Sequence, residues 1–421
     1  MTREVEKRLN DLNTVLDIAR AMSAEKDLRA LMDLIVRETT KMMEADRSSL
    51  FLVDDTTRDL YTWIAEGLDG EVKEIRQPMG QGIVGHVAES CKPINVADAY
   101  DCPHFNRGWD QKTGYRTKTV LGVPLLTHEE KIVGVLQVIN KHAGEFTDYD
   151  ESLLLALGSH AAIALDQARL VQHYVEKKQI QHALGIAKQI QQGLLPETDP
   201  EVEGFDVAGW TLSCDETGGD YYDFIETGDG DVGIAVGDVS SHGVGPALLM
   251  TTARAFLRAL IAAGVPVGQI LAQLNDFLVD DMGEGRFMTM FYGVLNPKRR
   301  ELAFSSAGHE PGLILEAASG KFTELDNTGC PLGIMPGTDF PAGPLVKLAP
   351  GDILLLLTDG IFEAMDVSRE KFGRDRLREV IRREQHSPSR TIIEAMHEAV
   401  TAFRGEAAQR DDLTMVVVKA K

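Results

Sequence analysis

The chain has 421 residues, and its 65 acidic against 43 basic side chains give a net charge of −22. So negative a surface repels nucleic acid and anionic lipid, and neither is expected as a partner. With 43% hydrophobic and 26% charged residues, the composition excludes fibrous and disordered chains, and the length suggests about two or three domains.

The four cysteines, Cys91, Cys102, Cys214 and Cys330, form no CxxC pair. That excludes a zinc ribbon or a disulfide scaffold and fits a reducing, cytoplasmic compartment. The start, MTREVEKRLN, lacks the apolar core of a signal peptide. No run approaches about 18 uncharged apolar residues, so no membrane span is expected.

In chain order, residues 1–26 predict a helix, with Leu9, Leu12, Leu16 and Ala19 at the spacing of a coiled-coil seam. A second amphipathic run covers Leu28 to Met43. The strand-like segments SSLFLVD, DLYTWIA, KTVLGVPLL and KIVGVLQVIN follow, with turn residues between them. Together they predict a mixed α/β domain over 27–165, built mainly from antiparallel hairpins.

A long helical pattern begins at Asp148. Leu153, Leu157, His160, Ala164, Ala168, Val171 and Val175 recur at steps of three and four, then Ile180, Leu184, Ala187, Ile190 and Leu194. Pro196 is expected to stop it. Gly185 interrupts it at a cost of about 1 kcal/mol relative to Ala. Residues 166–196 therefore predict a helical, coiled-coil connector through which two copies pair as a homodimer.

Past Pro196 the texture changes. DVAGWTL, YYDFIET, DVGIAVGD, MTMFYGVL, ELAFSSAG, GLILEA, DILLLLTD and LTMVVVK read as strands. Helices are expected near Pro246–Ala263, Val267–Asp281, Arg374–Glu384 and Ser389–Arg404. This pattern predicts two packed sheets with helices outside them over 197–421. The fold class of the whole is thus α+β and multidomain.

Four acidic motifs carry the chemistry of this second half: GGDYYDF with Asp220 and Asp223, VGDVSSHG with Asp238, LLLLTDGIFE with Asp359, and RDDLTMVVV with Asp411 and Asp412. A single Asp-Gly pair is a turn signal. Four in order, each abutting an apolar strand, point further. Carboxylates at the ends of neighbouring buried strands share one cleft and stay ionised only if cations compensate them. Hard oxygen ligands select Mg2+ or Mn2+, and two such ions about 4 Å apart bind a phosphate and generate a hydroxide nucleophile. No GxSxG, HExxH or GxxxxGK[ST] is present, which removes the usual serine hydrolases, zincins and P-loop enzymes.

Residues Leu194 to Lys421 resemble the SpoIIE-type branch of the PPM metal-dependent serine/threonine phosphatases. The resemblance rests on IQQGLLP, GGDYYDF, GDVSSHGVGPALLM, AGHEPGLIL, GCPLGI, TDGIFEA and DDLTMVVV, in that order. It implies a β-sandwich flanked by helices and hydrolysis of phosphoserine or phosphothreonine in a protein, without a phosphoenzyme. It also implies Asp238 bridging two metal ions, with Asp220 and the Val239 carbonyl on one ion and Asp359 and Asp411 on the other. Asp220 and Asp238 are the catalytic pair on this reading. Asp223 reads as a capping or supporting acid, His309 as a structural residue, and His242 as a residue that orders the loop, with a supporting residue or proton donor as the alternative. In eukaryotic PPM enzymes a histidine follows the bridging aspartate by two residues. Ser240 stands there in this chain, which leaves the general acid unassigned. The family's usual substrates are phosphorylated antagonists of anti-sigma factors in bacterial partner-switching.

The stretch NKHAGEFTDYDE, with Asn140, Lys141, Phe146, Asp150 and Glu151, resembles the motif of GAF domains that bind cAMP or cGMP in cyclic-nucleotide phosphodiesterases and bacterial adenylyl cyclases. Lys141 can pair with Asp150 and fix the last strand to the exit helix. The loop NVADAYDCPHFNRGWDQKTGYRT is similar to the ligand lid of those domains. That match implies that Asp110, Thr113 and Thr117 meet polar groups of the nucleotide and that Ser49 lies on the base side. Ile83 and Val84, in GQGIVGH, would offer helix-start N–H groups to the cyclic phosphate. A bilin ligand is disfavoured, since DCPHF does not give the spacing of a Cys-His attachment pair.

These expectations describe a cyclic-nucleotide-regulated phosphatase. The alternatives are a GAF domain that only dimerises the phosphatase, and a pseudophosphatase scaffold.

Overall fold

Period-two alternation between two apolar faces builds the first sheet. The protein is described here by a computed structural model covering residues 2–63, 74–228, 230–283 and 285–421. The chain divides into two units, Met1–Gln179 and Ile180–Lys421.

The first unit opens with helices α1 (Thr2–Ala24) and α2 (Leu28–Met42). Asp27 caps α2 by accepting the Ala30 N–H at 2.9 Å. Strands β1 (Ala45–Val53), β2 (Leu60–Trp63), β3 (Glu74–Gln77), β4 (Ile94–Val96), β5 (Val120–Leu126) and β6 (Ile132–Lys141) form one antiparallel sheet in the order β3-β2-β1-β6-β5-β4. Alternate residues divide between its faces. Leu50, Leu52, Leu121, Val123 and Leu136 pack on one side with α1, α2 and the start of α5 (Asp148–Gln192). Val53, Val120 and Val135 pack on the other with α3 (Gly82–Ser90). A short α4 (Gly108–Thr113) lies between β4 and β5.

Two helices add detail to the sequence reading. The inward stripe of α1 is Val15, Ile18, Ala19 and Met22, whereas Leu9, Leu12 and Leu16 are 52–62% exposed. Helix α5 runs unbroken through Gly185 but ends at Gln192, before Pro196, in a turn at Gly193 and Leu194. Its early apolar residues, Leu153, Leu157, Ala164 and Ala168, are buried. Leu170, Val171, Tyr174, Val175, Ile180, Ile186 and Ile190 are exposed.

The second unit is a sandwich of two antiparallel sheets. One runs β14-β11-β10-β9-β8, from β8 (Tyr221–Glu226), β9 (Val232–Val239), β10 (Met288–Asn296), β11 (Glu301–Ala307) and β14 (Val346–Lys347). The other runs β13-β12-β15-β16-β7, from β7 (Phe205–Leu212), β12 (Gly312–Leu315), β13 (Phe322–Leu325), β15 (Ile353–Leu357) and β16 (Leu413–Ala420). The continuous run ILLLL of β15 is explained by burial on both faces. Leu354 and Leu356 join Val236, Phe291, Phe304 and Val416 between the sheets. Ile353, Leu355 and Leu357 meet α9 (Gly373–Glu384) and α10 (Ser389–Arg404), after the one-turn α8 (Gly360–Glu363). Helices α6 (Val244–Ala262) and α7 (Val267–Met282) cover the outer face of the first sheet.

Among the described residues one helix, α6, is long and apolar enough by length and composition to cross a membrane. Here its Met250, Ala253, Leu257 and Leu260 pack in the core, and its Arg258 grips Asp223 on β8.

Leu356, fully buried between the sheets, tests this packing. Leu356→Ala is expected to destabilise the second unit by about 2–5 kcal/mol, read as a lower denaturant midpoint at unchanged slope.

Candidate active site and ligand pocket

Antiparallel pairing explains why the acids cluster. The end of one strand lies beside the start of its neighbour, so a motif that closes β9 meets a motif that opens β8. Asp238 closes β9 and Asp220 precedes β8, with Tyr221 facing Gly237 across the pair. In the other sheet Asp359 follows β15 and Asp411 and Asp412 precede β16, with Leu357 facing Met415.

Asp238, Asp359 and Asp411 line one cavity of about 240 Å3, with Ser240, His242, Thr289, His309, Glu310 and Arg410. Asp220, 4% exposed, is not in its lining; its Oδ2 accepts a hydrogen bond from Thr358 Oγ1 at 2.8 Å. Thr358 is held in turn by the Thr414 N–H at 3.0 Å. Burial, then the charge of Asp238, drives the Asp220 carboxyl well above the usual range. Burial and the neighbouring Asp359, Asp411 and Asp412 push Asp238 up to about 7. Burial and Asp411 raise Asp359, and burial raises Asp411. A buried all-oxygen set in mutual repulsion fits a hard divalent cation.

Asp412 is spent on the backbone. Its Oδ1 accepts the Cys214 N–H at 2.7 Å and its Oδ2 the Gly219 N–H at 2.8 Å, which ties the 214–220 loop to the start of β16. Close approach requires glycine on both sides of it. A Cβ at Gly218 would stand 2.2 Å from Asp412 Oδ2, and one at Gly360 would stand 1.9 Å from the Asp412 carbonyl oxygen. The Val239 carbonyl also packs on this loop, 2.6 Å from where a Cβ at Gly219 would be.

The remaining polar residues divide by role. Asp223 is fully buried and accepts both arms of Arg258 at 2.7 Å and the Tyr221 hydroxyl at 2.7 Å, so it anchors α6 to β8 and does not face the cavity. His309 is buried against Thr289 Oγ1 at 2.9 Å, and burial drives it down to about 4. His242 places Nδ1 2.5 Å from Asp215 Oδ2, a contact that raises its pKa.

One pairing escaped the sequence reading, although its residue lies within the quoted IQQGLLP. Gln191, in the last turn of α5, donates from Nε2 to the Gly218 carbonyl at 2.7 Å, and its Oε1 accepts the Gly218 N–H at 3.1 Å. A glutamine in a polar helix end carries no signal of such a partner 27 residues away.

In the first unit a cavity of about 180 Å3 is lined by Phe51, Ile83, Val84, Phe105, Asn106, Asp110, Thr117 and Gln137. Ile83 and Val84 sit in the first turn of α3, where backbone N–H groups lack helical partners. Asp110 and Thr117 satisfy each other, with Thr117 N–H and Oγ1 donating to Asp110 at 2.7 and 2.8 Å and Tyr100 OH adding a bond at 3.1 Å. Ser49, on β1 opposite Gln137, is not in the lining. Thr113 ends α4, and its side chain lies outside the described residues. Lys141 pairs with Asp150, which also accepts Thr147 N–H and Oγ1. Burial raises the Asp150 carboxyl, but Lys141 and Thr147 outweigh it and leave it lowered. Asn140, at φ 57°, accepts the Lys118 N–H and donates to Tyr115 OH and the Arg116 carbonyl, clamping the segment that carries Thr117. A larger cavity of about 540 Å3, beside Asp54, Arg76 and Arg169, borders none of the expected residues.

Residues 228–421 match the family described as stage II sporulation protein E (SpoIIE), and residues 27–165 match the GAF domain. The phosphoserine phosphatase RsbU of Bacillus subtilis is 26% identical over 245 residues, 58% of this chain and 72% of RsbU. The probable 3',5'-cyclic phosphodiesterase pde-5 of Caenorhabditis elegans is 36% identical over 169 residues, 38% of this chain and 23% of that protein. The SiaA-PP2C domain of Pseudomonas aeruginosa superimposes with a TM-score of 0.52 at 26% identity, covering 58% of this chain and 99% of that domain. The chain spans less than half the length of several curated relatives that it matches.

Metal-free protein is expected to lose stability as pH rises from about 4 to about 7. Between the ordinary carboxylate value of 3.8 and about 7, folded Asp238 keeps a proton that the unfolded chain has released. Folding therefore weakens with rising pH across that window. Mn2+ should flatten the slope and raise the melting temperature most above pH 7. Thermal melts of chelator-treated protein, with and without Mn2+, check this. Stability that climbs with pH in the metal-free sample contradicts it.

Proposed function

Because residues 228–421 belong to the SpoIIE family and residues 27–165 to the GAF family, we propose that this protein is a metal-dependent protein serine/threonine phosphatase regulated through its GAF domain. The observation that carries the reading is the convergence of Asp238, Asp359 and Asp411 on one cavity, with Asp220 buried near Asp238. An unscreened acidic cavity would repel a phosphate. Two divalent ions, Mn2+ or Mg2+, would supply the compensating charge and an activated water. In this reading Asp220, Asp238, the Val239 carbonyl, Asp359 and Asp411 hold the ions. Thr358 orients Asp220, and Asp412 fixes the loop on which Asp220 sits.

The substrate is a phosphoserine or phosphothreonine protein, and the resemblance to RsbU favours a phosphorylated antagonist of an anti-sigma factor. The site for cAMP or cGMP is the cavity of Ile83, Val84, Asp110 and Thr117, with Ser49 on β1 opposite the lining residue Gln137, Thr113 between Asp110 and Thr117 in the chain, and Lys141–Asp150 as its scaffold. Similarity to pde-5 over 169 residues supports it. Signal would pass along α5 to Gln191, whose two bonds hold Gly218 next to the site loop. Exposed Leu9, Leu12 and Leu16 on α1, with Leu170, Val171 and Ile180 on α5, support pairing of two copies in a cytoplasmic homodimer. A second reading, a GAF domain that only dimerises the enzyme, is favoured by one observation: the ligand cavity is small beside the roughly 300–1,000 Å3 of typical sites, and Asp110 is already satisfied.

The test is Mn2+-dependent hydrolysis of a phosphoserine peptide, titrated separately with cAMP and cGMP. Asp238→Ala is expected to lower kcat by about 1,000-fold or more, in line with removal of a group that stabilises transition-state charge. Undiminished hydrolysis by that variant would overturn the site. Equal rates with and without nucleotide, in protein shown to bind it, would leave only the dimerising reading.

A further inference from the structure

We propose that His242 donates the proton that the departing serine or threonine oxygen takes up, and that Asp215 positions it to do so. The proposal rests on the phosphatase reading above. An alkoxide is a poor leaving group, so its release needs an acid within reach.

The cavity holds few candidates. Asp238, Asp359 and Asp411 belong to the cation site. Glu310 is engaged by Arg374. Arg410 does not release a proton in proteins. His309 is 1% exposed, and burial leaves it neutral well above pH 4. That leaves His242, which lines the same cavity. Its Nδ1 is taken by Asp215 Oδ2 at 2.5 Å, so Nε2 is the donor that remains.

The setting is built from both sides. Asp215 follows Cys214, whose N–H is fixed by Asp412 at 2.7 Å. On the other side Ser241 at φ 75° and Gly243 at φ 94° bracket His242 in left-handed backbone, which a serine adopts only under local constraint. The charges that bear on the ring are Asp215 first, then Asp411 and Asp412, with Arg410 bordering the same cavity. The hydrogen bond to Asp215 raises the imidazole's pKa, which favours the protonated ring.

A water oxygen forms a bond to phosphorus as the bond from phosphorus to the serine Oγ breaks. The bonding pair stays on Oγ, which takes the Nε2 proton of His242. The neutral ring regains a proton from the one released by the attacking water, and the products are serine and phosphate.

The leaving group decides the matter. In the full-length, Mn2+-loaded chain, His242→Asn is expected to cut kcat on a phosphoserine peptide by about 100-fold or more, the range of general acid catalysis. On p-nitrophenyl phosphate, whose leaving group needs no proton, the loss should stay below about tenfold. The high-pH fall of kcat on the peptide should shift to lower pH in Asp215→Asn. In metal-free protein, NMR titration of the His242 imidazole should show the same downward shift for Asp215→Asn. Equal losses on both esters, or none on the peptide, would overturn the role of His242. An unshifted imidazole in Asp215→Asn would overturn that of Asp215. Wild-type protein that turns over neither ester would sink the phosphatase reading itself, and this proposal with it.

Discussion

Like charges confined in one cleft set the terms for the second unit. Asp220, Asp238, Asp359 and Asp411 are brought together by backbone pairing that is indifferent to their repulsion, and burial first, then the neighbouring carboxylates, raises each carboxyl. The surrounding structure counters that strain. Thr358 donates to Asp220, and Asp412 turns both oxygens to backbone N–H groups. Glycines at 218 and 360 let the loops close to distances no side chain permits. Buried Asp223, bound by Arg258, pins α6 to the strand that follows Asp220. A fold of this kind stores unfavourable electrostatics at its site and offsets them in its packing.

The first unit follows the opposite rule. The acids and the asparagine around its cavity and last strand are satisfied by neighbouring groups. Asp110 is closed by Thr117 and Tyr100, Asp150 by Lys141 and Thr147, and Asn140 by three groups of the 115–118 segment. Asn140 and Lys141 therefore act at a remove from the cavity, by fixing the segment that carries Thr117 and the junction of β6 with α5.

Much of the architecture was legible because burial writes itself into periodicity. The strands DVAGWTL, MTMFYGVL and LTMVVVK and helix Ser389–Arg404 stand within a residue or so of their expected bounds. Strands β3, β4, β13 and β14, of two to four residues, are too short to show a period. On α1, spacing alone could not say which of two apolar stripes faces inward, and Val15, Ile18 and Met22 took that place rather than Leu9, Leu12 and Leu16. The acids announced themselves because a carboxylate beside a buried strand is conspicuous. Gln191 with Gly218, and His242 with Asp215, did not, since each pair joins residues 27 apart through a fold that must exist first.

The closed bonding of Asp110 bears on timing. A ligand that uses this carboxylate must first displace the Thr117 and Tyr100 donors. Entry and exit then share one opening step of the Asn140-clamped segment. For such a ligand, that step would set the lifetime of the bound state. On the cyclic-nucleotide reading proposed above, a brief pulse of messenger would be held as a longer interval of occupancy, so that the domain would serve as a timer as much as a gauge of concentration.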